Sequence, residues 1–148
     1  MSSATEIAAA LVKAIKAKQV EEAQRAFADV KAAALTPDAR SFAALINLFA
    51  LNRKNEEACD AYALGVSAHG AQALQSCNLN MNALVYACCR EPAKLLGQAM
   101  GVWSTMAEVH AVPDTEPTNR LILANVAQSA FDGAFSVFLG AIEAKVTP

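Results

Sequence analysis

The chain has 148 residues and a net charge of −2, and 55% of its residues are hydrophobic although only 6% are aromatic. A single ordinary domain fits this length, and its core must consist mainly of alanine and aliphatic side chains. There is no run of about 18 apolar residues and no secretory apolar core at the start, so the sequence predicts a helical protein that contacts no membrane.

Four segments carry apolar residues at i, i+3, i+4 and i+7, and this spacing predicts an amphipathic helix in each segment. Ser3 and Glu6 form a capping box before the first helix, and Asp38 and Asp114 are placed to cap later helices. The four sets are Ile7, Ala10, Leu11, Ala14; Phe42, Leu45, Ile46, Phe49; Met81, Leu84, Val85, Cys88; and Thr118, Leu121, Ile122, Asn125.

Each of these helices is followed by a second helical segment in which an alanine precedes an aromatic residue by one helical turn. The aromatic residues recur at spacings of 35, 41 and 35 residues, and such a period is typical of stacked repeats. Pro92 suits the first turn of a second helix, whereas Pro37, Pro113 and Pro148 close units. The alanine and aromatic pairs are Ala23 and Phe27, Ala58 and Tyr62, Ala99 and Trp103, and Ala134 and Phe138.

Together the two patterns predict eight helices and no sheet. We expect an all-α fold, a right-handed α-solenoid of about four helical hairpins, in which neighbouring hairpins supply the core. The single domain spans residues 1–148 and divides into units of about 4–38, 39–77, 78–114 and 115–148. The longer second spacing indicates an insertion around the sequence AQALQS.

The sequence resembles the pentatricopeptide repeat family over essentially its whole length, most closely in QVEEAQRAFADVKAAALTPD and QAMGVWSTMAEVHAVPD. Tetratricopeptide repeats share the alanine, aromatic and proline positions, but here the closing proline follows the aromatic residue by ten positions rather than about eight. The resemblance implies that the protein binds single-stranded RNA at about one base per unit, in RNA metabolism or translation within a mitochondrion or plastid.

The resemblance also implies which residues read the bases. One reader follows the first apolar residue of each first helix, and the other closes the unit. Asn82 and Asp114 of unit three are the only complete polar pair, which in this family favours uracil. Asn119 is the first reader of unit four, and Leu79 is the aliphatic residue placed to sandwich a base. In units one and two the first-reader positions hold Ala8 and Ala43.

The charges divide between two layers of the predicted stack. First helices and the turns after them are mainly basic, whereas second helices are mainly acidic. In the resembled family the first helices line the RNA groove, so Lys16 and Arg90 are candidates for phosphate contacts. The alternative is that these charges are only the solvent-exposed faces of amphipathic helices and bind no ligand.

A second hypothesis is a protein-interaction scaffold of the same fold within a larger complex, such as an organellar ribosome. We expect the last helix to present an apolar side that includes Val137, Ile142 and Val146. We therefore expect the chain either to be a segment of a longer array or to self-associate through that end. Histidines 69 and 110 are expected at helix ends, and the four cysteines as buried thiols. No catalytic, metal or phosphate-loop motif is present, so we predict neither an enzyme nor a cofactor.

Overall fold

The computed structural model describes residues 3–145, and within this range the chain forms nine α-helices and no β-strand. No helix in the described range has both the length and the apolar character that a bilayer crossing requires. The helices are α1 (Ala4–Lys16), α2 (Val20–Ala32), α3 (Ala39–Leu51), α4 (Asn55–His69), α5 (Ala71–Ser76), α6 (Met81–Cys89), α7 (Pro92–Glu108), α8 (Thr115–Ala127) and α9 (Phe131–Glu143).

Eight of these helices form the four predicted hairpins. The most extensive contacts join α1 to α2, α3 to α4, α6 to α7 and α8 to α9. The prediction of eight helices is wrong because the insertion around AQALQS forms a helix of its own, α5, which packs on α3 and α4. Leu74 anchors α5, since its side chain is fully buried in the core.

Successive hairpins meet in a recurring way. The second helix of each hairpin contacts the first helix of the next, in the pairs α2 with α3, α4 with α6, and α7 with α8. Ion pairs also join neighbouring second helices: Lys31 Nζ lies 2.7 Å from Asp60 Oδ2, and Lys94 Nζ lies 2.5 Å from Glu56 Oε1. Lys94 lies in α7 and is thus a basic residue of a second helix, in the layer that the sequence predicts to be mainly acidic.

Residues of the apolar first-helix pattern and of the alanine–aromatic pairs form much of the core. Leu45, Leu84 and Leu121 occupy the same register in α3, α6 and α8, and each is 0% exposed. All four alanines that precede an aromatic residue are buried, where they allow neighbouring helices to approach closely. The paired aromatic side chains differ, because Phe27 is 2% exposed whereas Phe138 is 45% exposed. The core therefore covers the last hairpin less completely than the first three.

Several predicted helix ends are confirmed. Ser3 Oγ accepts a hydrogen bond from Glu6 N, Asp38 Oδ1 accepts one from Ser41 N at 2.8 Å, and α7 begins at Pro92. Asp114 occupies the N-cap position of α8, but its side chain makes no capping hydrogen bond. Val146 and Pro148, which entered the predictions for the end of the chain, lie outside the described residues.

Most of the described helices are followed, two positions after their last residue, by a residue other than glycine with left-handed backbone geometry. His110 has this geometry (φ 59°) after α7, and His69 is the last residue of α4, so both histidines lie at helix ends as predicted. The left-handed residues other than glycine are Lys18, Ala34, Arg53, Asn78, His110, Ser129 and Lys145.

Candidate nucleic-acid interface

A groove of about 310 Å³ lies between the end of α3, one face of α6 and the start of α8. We call it the unit-three groove. It brings together three residues that the sequence singled out, namely Asn82, Asp114 and Arg90. The residues that line it are Ala50, Leu51, Asn80, Asn82, Ala83, Tyr86, Arg90, Asp114, Glu116 and Pro117.

The floor of the unit-three groove is a polar stripe on α6. Asn82, Tyr86 and Arg90 follow one another at four-residue intervals, which places them on one side of the helix. The opposite side is buried in the core through Met81, Leu84, Val85 and Cys88, and this burial fixes the rotation of α6. Asn80 begins the helix, since its side chain accepts a hydrogen bond from Ala83 N at 2.9 Å.

Asn82 ties α6 to the segment that closes unit three. Its Nδ2 donates to the carbonyl oxygen of Val112 at 2.9 Å, and its Oδ1 accepts from the backbone N–H of Asp114 at 2.8 Å. We refer to this pair of hydrogen bonds as the asparagine clamp. The clamp leaves one N–H and one oxygen lone pair of the amide for a ligand.

Unit two contains the same clamp at a different position. Asn47 Nδ2 donates to the carbonyl oxygen of Asn78 at 3.0 Å, and Asn47 Oδ1 accepts from Asn80 N at 2.8 Å. In the repeat register, Asn82 corresponds to Ala43, which is one helical turn before Asn47. The unit that carries the inserted helix α5 therefore forms its clamp one turn later along its first helix.

Two arginines lie beside the aromatic ring of the groove. The guanidinium carbons of Arg90 and Arg120 are 5.1 Å and 5.4 Å from the centroid of the Tyr86 ring, within the range of cation–π attraction. We call these three residues the Tyr86–arginine cluster. The Arg120 side chain is more than half exposed and lies 3.9 Å from a Glu116 carboxylate oxygen.

A half-buried thiol lies close to the same cluster. Burial raises the pKa of Cys89 to about 11, and the charge of Arg120 opposes this shift. Cys89 is therefore protonated at neutral pH and contributes no negative charge near the arginines.

Arg90 also has a structural role that the sequence did not suggest. Its Nη1 donates to the carbonyl oxygen of Ala50 at 2.9 Å and to Asn55 Oδ1 at 3.2 Å, which joins the end of α6 to unit two. Asn55 in turn donates from Nδ2 to Glu91 Oε2 at 3.0 Å. A phosphate contact from Arg90 would have to use the other N–H groups of the guanidinium.

The remaining predicted residues lie elsewhere. Leu79 is 7% exposed and belongs to the hydrophobic core, so its side chain offers little surface for a base to stack on. Asn119 is exposed on α8 but does not line the unit-three groove. Lys16 is exposed at the end of α1, in unit one. The structure therefore brings Asn82, Asp114 and Arg90 together and leaves the other three residues apart.

Neither Tyr86 nor Arg120 is among the site residues that the sequence predicts. The four-residue spacing of Asn82, Tyr86 and Arg90 could have revealed the stripe on α6. The approach of Arg120 to Tyr86 joins two different first helices, so no local pattern predicts it.

No family model matches this chain, and no curated protein shows significant similarity to it. The repeat pattern and the geometry of the unit-three groove are therefore the features that bear on function.

Proposed function

We propose that the protein is a single-stranded RNA-binding module whose hairpins form a right-handed α-solenoid of the pentatricopeptide repeat type. The observation that carries this proposal is the unit-three groove, where Asn82 and Asp114 lie beside the Tyr86–arginine cluster. Side chains that can select a base thus share a groove with an aromatic ring and with Arg90, and a second arginine, Arg120, lies beside that ring. Single-strand binding commonly combines these components.

The Tyr86–arginine cluster can hold a base and its phosphate. Unpaired bases stack on aromatic and guanidinium planes, and each stacked base contributes about 1–3 kcal/mol. Arg120 is the residue best placed for a phosphate, because its side chain is largely exposed and its one ion pair within the described residues is long. Arg90, which is half-buried and bonded to unit two, holds the groove together.

Base selection is assigned to Asn82 and Asp114. The free N–H and lone pair of the Asn82 amide can donate to and accept from a pyrimidine edge. We expect a preference for uracil at unit three, as the resemblance implies. Asn119 offers a further reader in unit four, whereas Ala8 and Ala43 have no polar group with which to read a base. Tight binding therefore requires further RNA-binding units or a partner, in keeping with a role in RNA metabolism or translation in a mitochondrion or plastid.

The test is fluorescence anisotropy with labelled single-stranded oligoribonucleotides, one rich in uracil and one rich in adenine, over a series of salt concentrations. We expect tighter binding of the uracil-rich strand, and an affinity that falls as salt rises because phosphate contacts release counterions. Replacing Arg120 by glutamine should reduce the salt slope by about 1.

Variants of the ring provide the sharpest arm of this test. Tyr86→Ala should weaken binding about fivefold or more, since it removes the stacking plane, whereas Tyr86→Phe should retain most of the affinity. The matched control for Arg120→Gln is Arg25→Gln, which removes an exposed arginine on α2 that pairs with Glu22. Absence of RNA binding even at low salt would refute the proposal.

A protein-interaction scaffold of the same fold is the second candidate, and one observation favours it. The last hairpin exposes many large apolar side chains, and such patches commonly mark protein contacts. Absence of RNA binding together with stable binding to a larger complex, such as an organellar ribosome, would support this alternative. The exposed residues are Leu123, Val126, Phe131, Phe135, Phe138, Leu139 and Ile142.

A further inference from the structure

Helix α9 has two apolar faces. Ala134, Val137 and Ala141 form the face that is buried within its own hairpin, so the prediction that Val137 lies on the exposed apolar side of the last helix is wrong. On another side of the helix, five large apolar residues share one exposed stripe because they recur at i, i+4, i+7, i+8 and i+11. We call this stripe the aromatic face of α9, and it consists of Phe131, Phe135, Phe138, Leu139 and Ile142.

The junctions inside the protein indicate what covers such a face. At two junctions, the residue after the repeat alanine of a second helix contacts the first helix of the next unit. Cys59 Sγ lies 2.8 Å from Cys88 Sγ of α6, and Met100 Sδ accepts a hydrogen bond from Asn125 of α8 at 3.4 Å. Phe135 has the same register in α9, yet it is 62% exposed. A first helix is therefore the kind of surface that the aromatic face is built to meet.

Helix α1 presents the complementary surface. Ala10 holds the position in α1 that Leu45, Leu84 and Leu121 hold in the other first helices. These three leucines are fully buried, whereas Ala10 is exposed. The side of a first helix that is buried elsewhere is thus partly uncovered in α1. Side-chain sizes also differ: at this register α6 and α8 carry leucine, whereas α1 carries the smaller alanine and leaves room for a phenylalanine of α9.

The two surfaces carry opposite charges at the repeat positions where an internal junction has an ion pair. At the internal junction Glu56 of α4 pairs with Lys94 of α7. Asp132 precedes its repeat alanine by two positions, as Glu56 does, and Lys18 precedes Ala23 by five positions, as Lys94 precedes Ala99. An ion pair between Asp132 and Lys18 would therefore repeat one that the protein already contains.

We infer that the aromatic face of α9 binds helix α1 of a second copy of this chain, in a head-to-tail contact that repeats the internal junction. Phe135 of one copy packs on α1 of the other, between Ala10 and Ala14, and Asp132 lies opposite Lys18. Ala14 is the register equivalent of Cys88 and Asn125, and Ala10 lies one helical turn before it on the same side. The contact joins two different surfaces, so each copy retains one free surface and longer chains of copies form as concentration rises. The inference does not depend on RNA binding.

The first experiment is analytical ultracentrifugation of the full chain between about 1 μM and 1 mM. The average mass should rise with concentration above the monomer mass of 15.5 kDa. Phe135→Glu and Ala10→Glu should each remove this rise, with little change in thermal unfolding because both positions are exposed. The control Leu64→Glu, at an exposed apolar residue of α4, should associate as the unaltered chain does.

Mixing the two variants tests the head-to-tail geometry. Phe135→Glu retains an intact α1 and Ala10→Glu retains an intact α9, so an equimolar mixture should form a dimer although each variant alone is monomeric. The mixture should stop at the dimer because the remaining two surfaces both carry an introduced glutamate. Association of Ala10→Glu alone would indicate that α9 binds α9, and a monomer at every concentration would mean that no such contact exists. Either result overturns the inference.

Discussion

The side-chain amide oxygen of Asn82 accepts a hydrogen bond from the backbone N–H of Asp114 at 2.8 Å. The family resemblance implies that the same two residues are base readers. The structure gives their contact a second role, since the asparagine clamp uses the main chain of Asp114 and leaves its carboxylate outside the clamp. Effects on stability and on base preference can therefore be separated by mutation.

Asn82→Ala removes both hydrogen bonds of the clamp. We expect it to lower the free energy of unfolding by about 1–2 kcal/mol, and also to weaken the preference for uracil. Asn47→Ala is the matched control, because it removes an equivalent clamp but leaves the Asn82 amide in place. Urea unfolding should show similar losses for the two variants, whereas only Asn82→Ala should lower the ratio of uracil to adenine affinity. An equal change of this ratio in both variants would mean that Asn82 acts only as a clamp.

Asp114→Asn should change base preference without changing stability. The backbone N–H that joins the clamp is retained in this variant, and the Asp114 side chain makes no capping hydrogen bond that could be lost. We expect the ratio of uracil to adenine affinity to shift while the melting temperature moves by less than about 2 °C. A lower melting temperature for Asp114→Ala with unaltered RNA binding would show that the residue serves only the start of α8.

The hairpins could be predicted from the sequence because each depends on a local pattern. Ala23, Ala58 and Ala99 are fully buried, as expected where helices approach closely, and the first-helix patterns place Leu45 and Leu84 in the core. Both patterns have the helical period, so they predict the element and its buried side together.

Other features could not be predicted because they depend on contacts between residues far apart in the sequence, or because no characteristic residue type or spacing marks them. Six residues are too few for periodicity to identify α5. The left-handed helix ends are occupied by residues such as Lys18 and Ala34, where glycine would be the usual marker. The burial of Leu79 and the approach of Arg120 to Tyr86 arise from packing between units.

Asp38, the N-cap residue of α3, makes the free energy of unfolding depend on pH. Hydrogen bonds from the side chain and the backbone of Ser41 hold the pKa of its carboxyl group below the ordinary value of 3.8. The charged cap therefore contributes stability above pH 3.8, and this contribution is lost as pH falls through the lower pKa of the folded state. Asp38→Asn keeps an acceptor that does not titrate.

In thermal unfolding between about pH 6 and about pH 2.5, the unaltered protein should lose stability relative to Asp38→Asn. Asp38→Ala should be less stable by about 1 kcal/mol at neutral pH, because it removes the cap itself. Parallel pH profiles for the unaltered protein and Asp38→Asn would contradict the assignment.

Gly133 in α9 lies against the side chain of Asn125, and a Cβ at this position would overlap with Asn125 Oδ1. Asn125 cannot easily move, since it is buried and its Nδ2 donates to the carbonyl oxygen of Leu121 at 2.9 Å. Gly133→Ala should therefore lower the free energy of unfolding by about 1–3 kcal/mol in urea. Gly101→Ala is the control, because a Cβ there meets open space in α7, and it should raise stability by about 0.5–1 kcal/mol. The penalty of Gly133→Ala should largely disappear in an Asn125→Ala background, and a penalty that persists there would show that the overlap is not its cause.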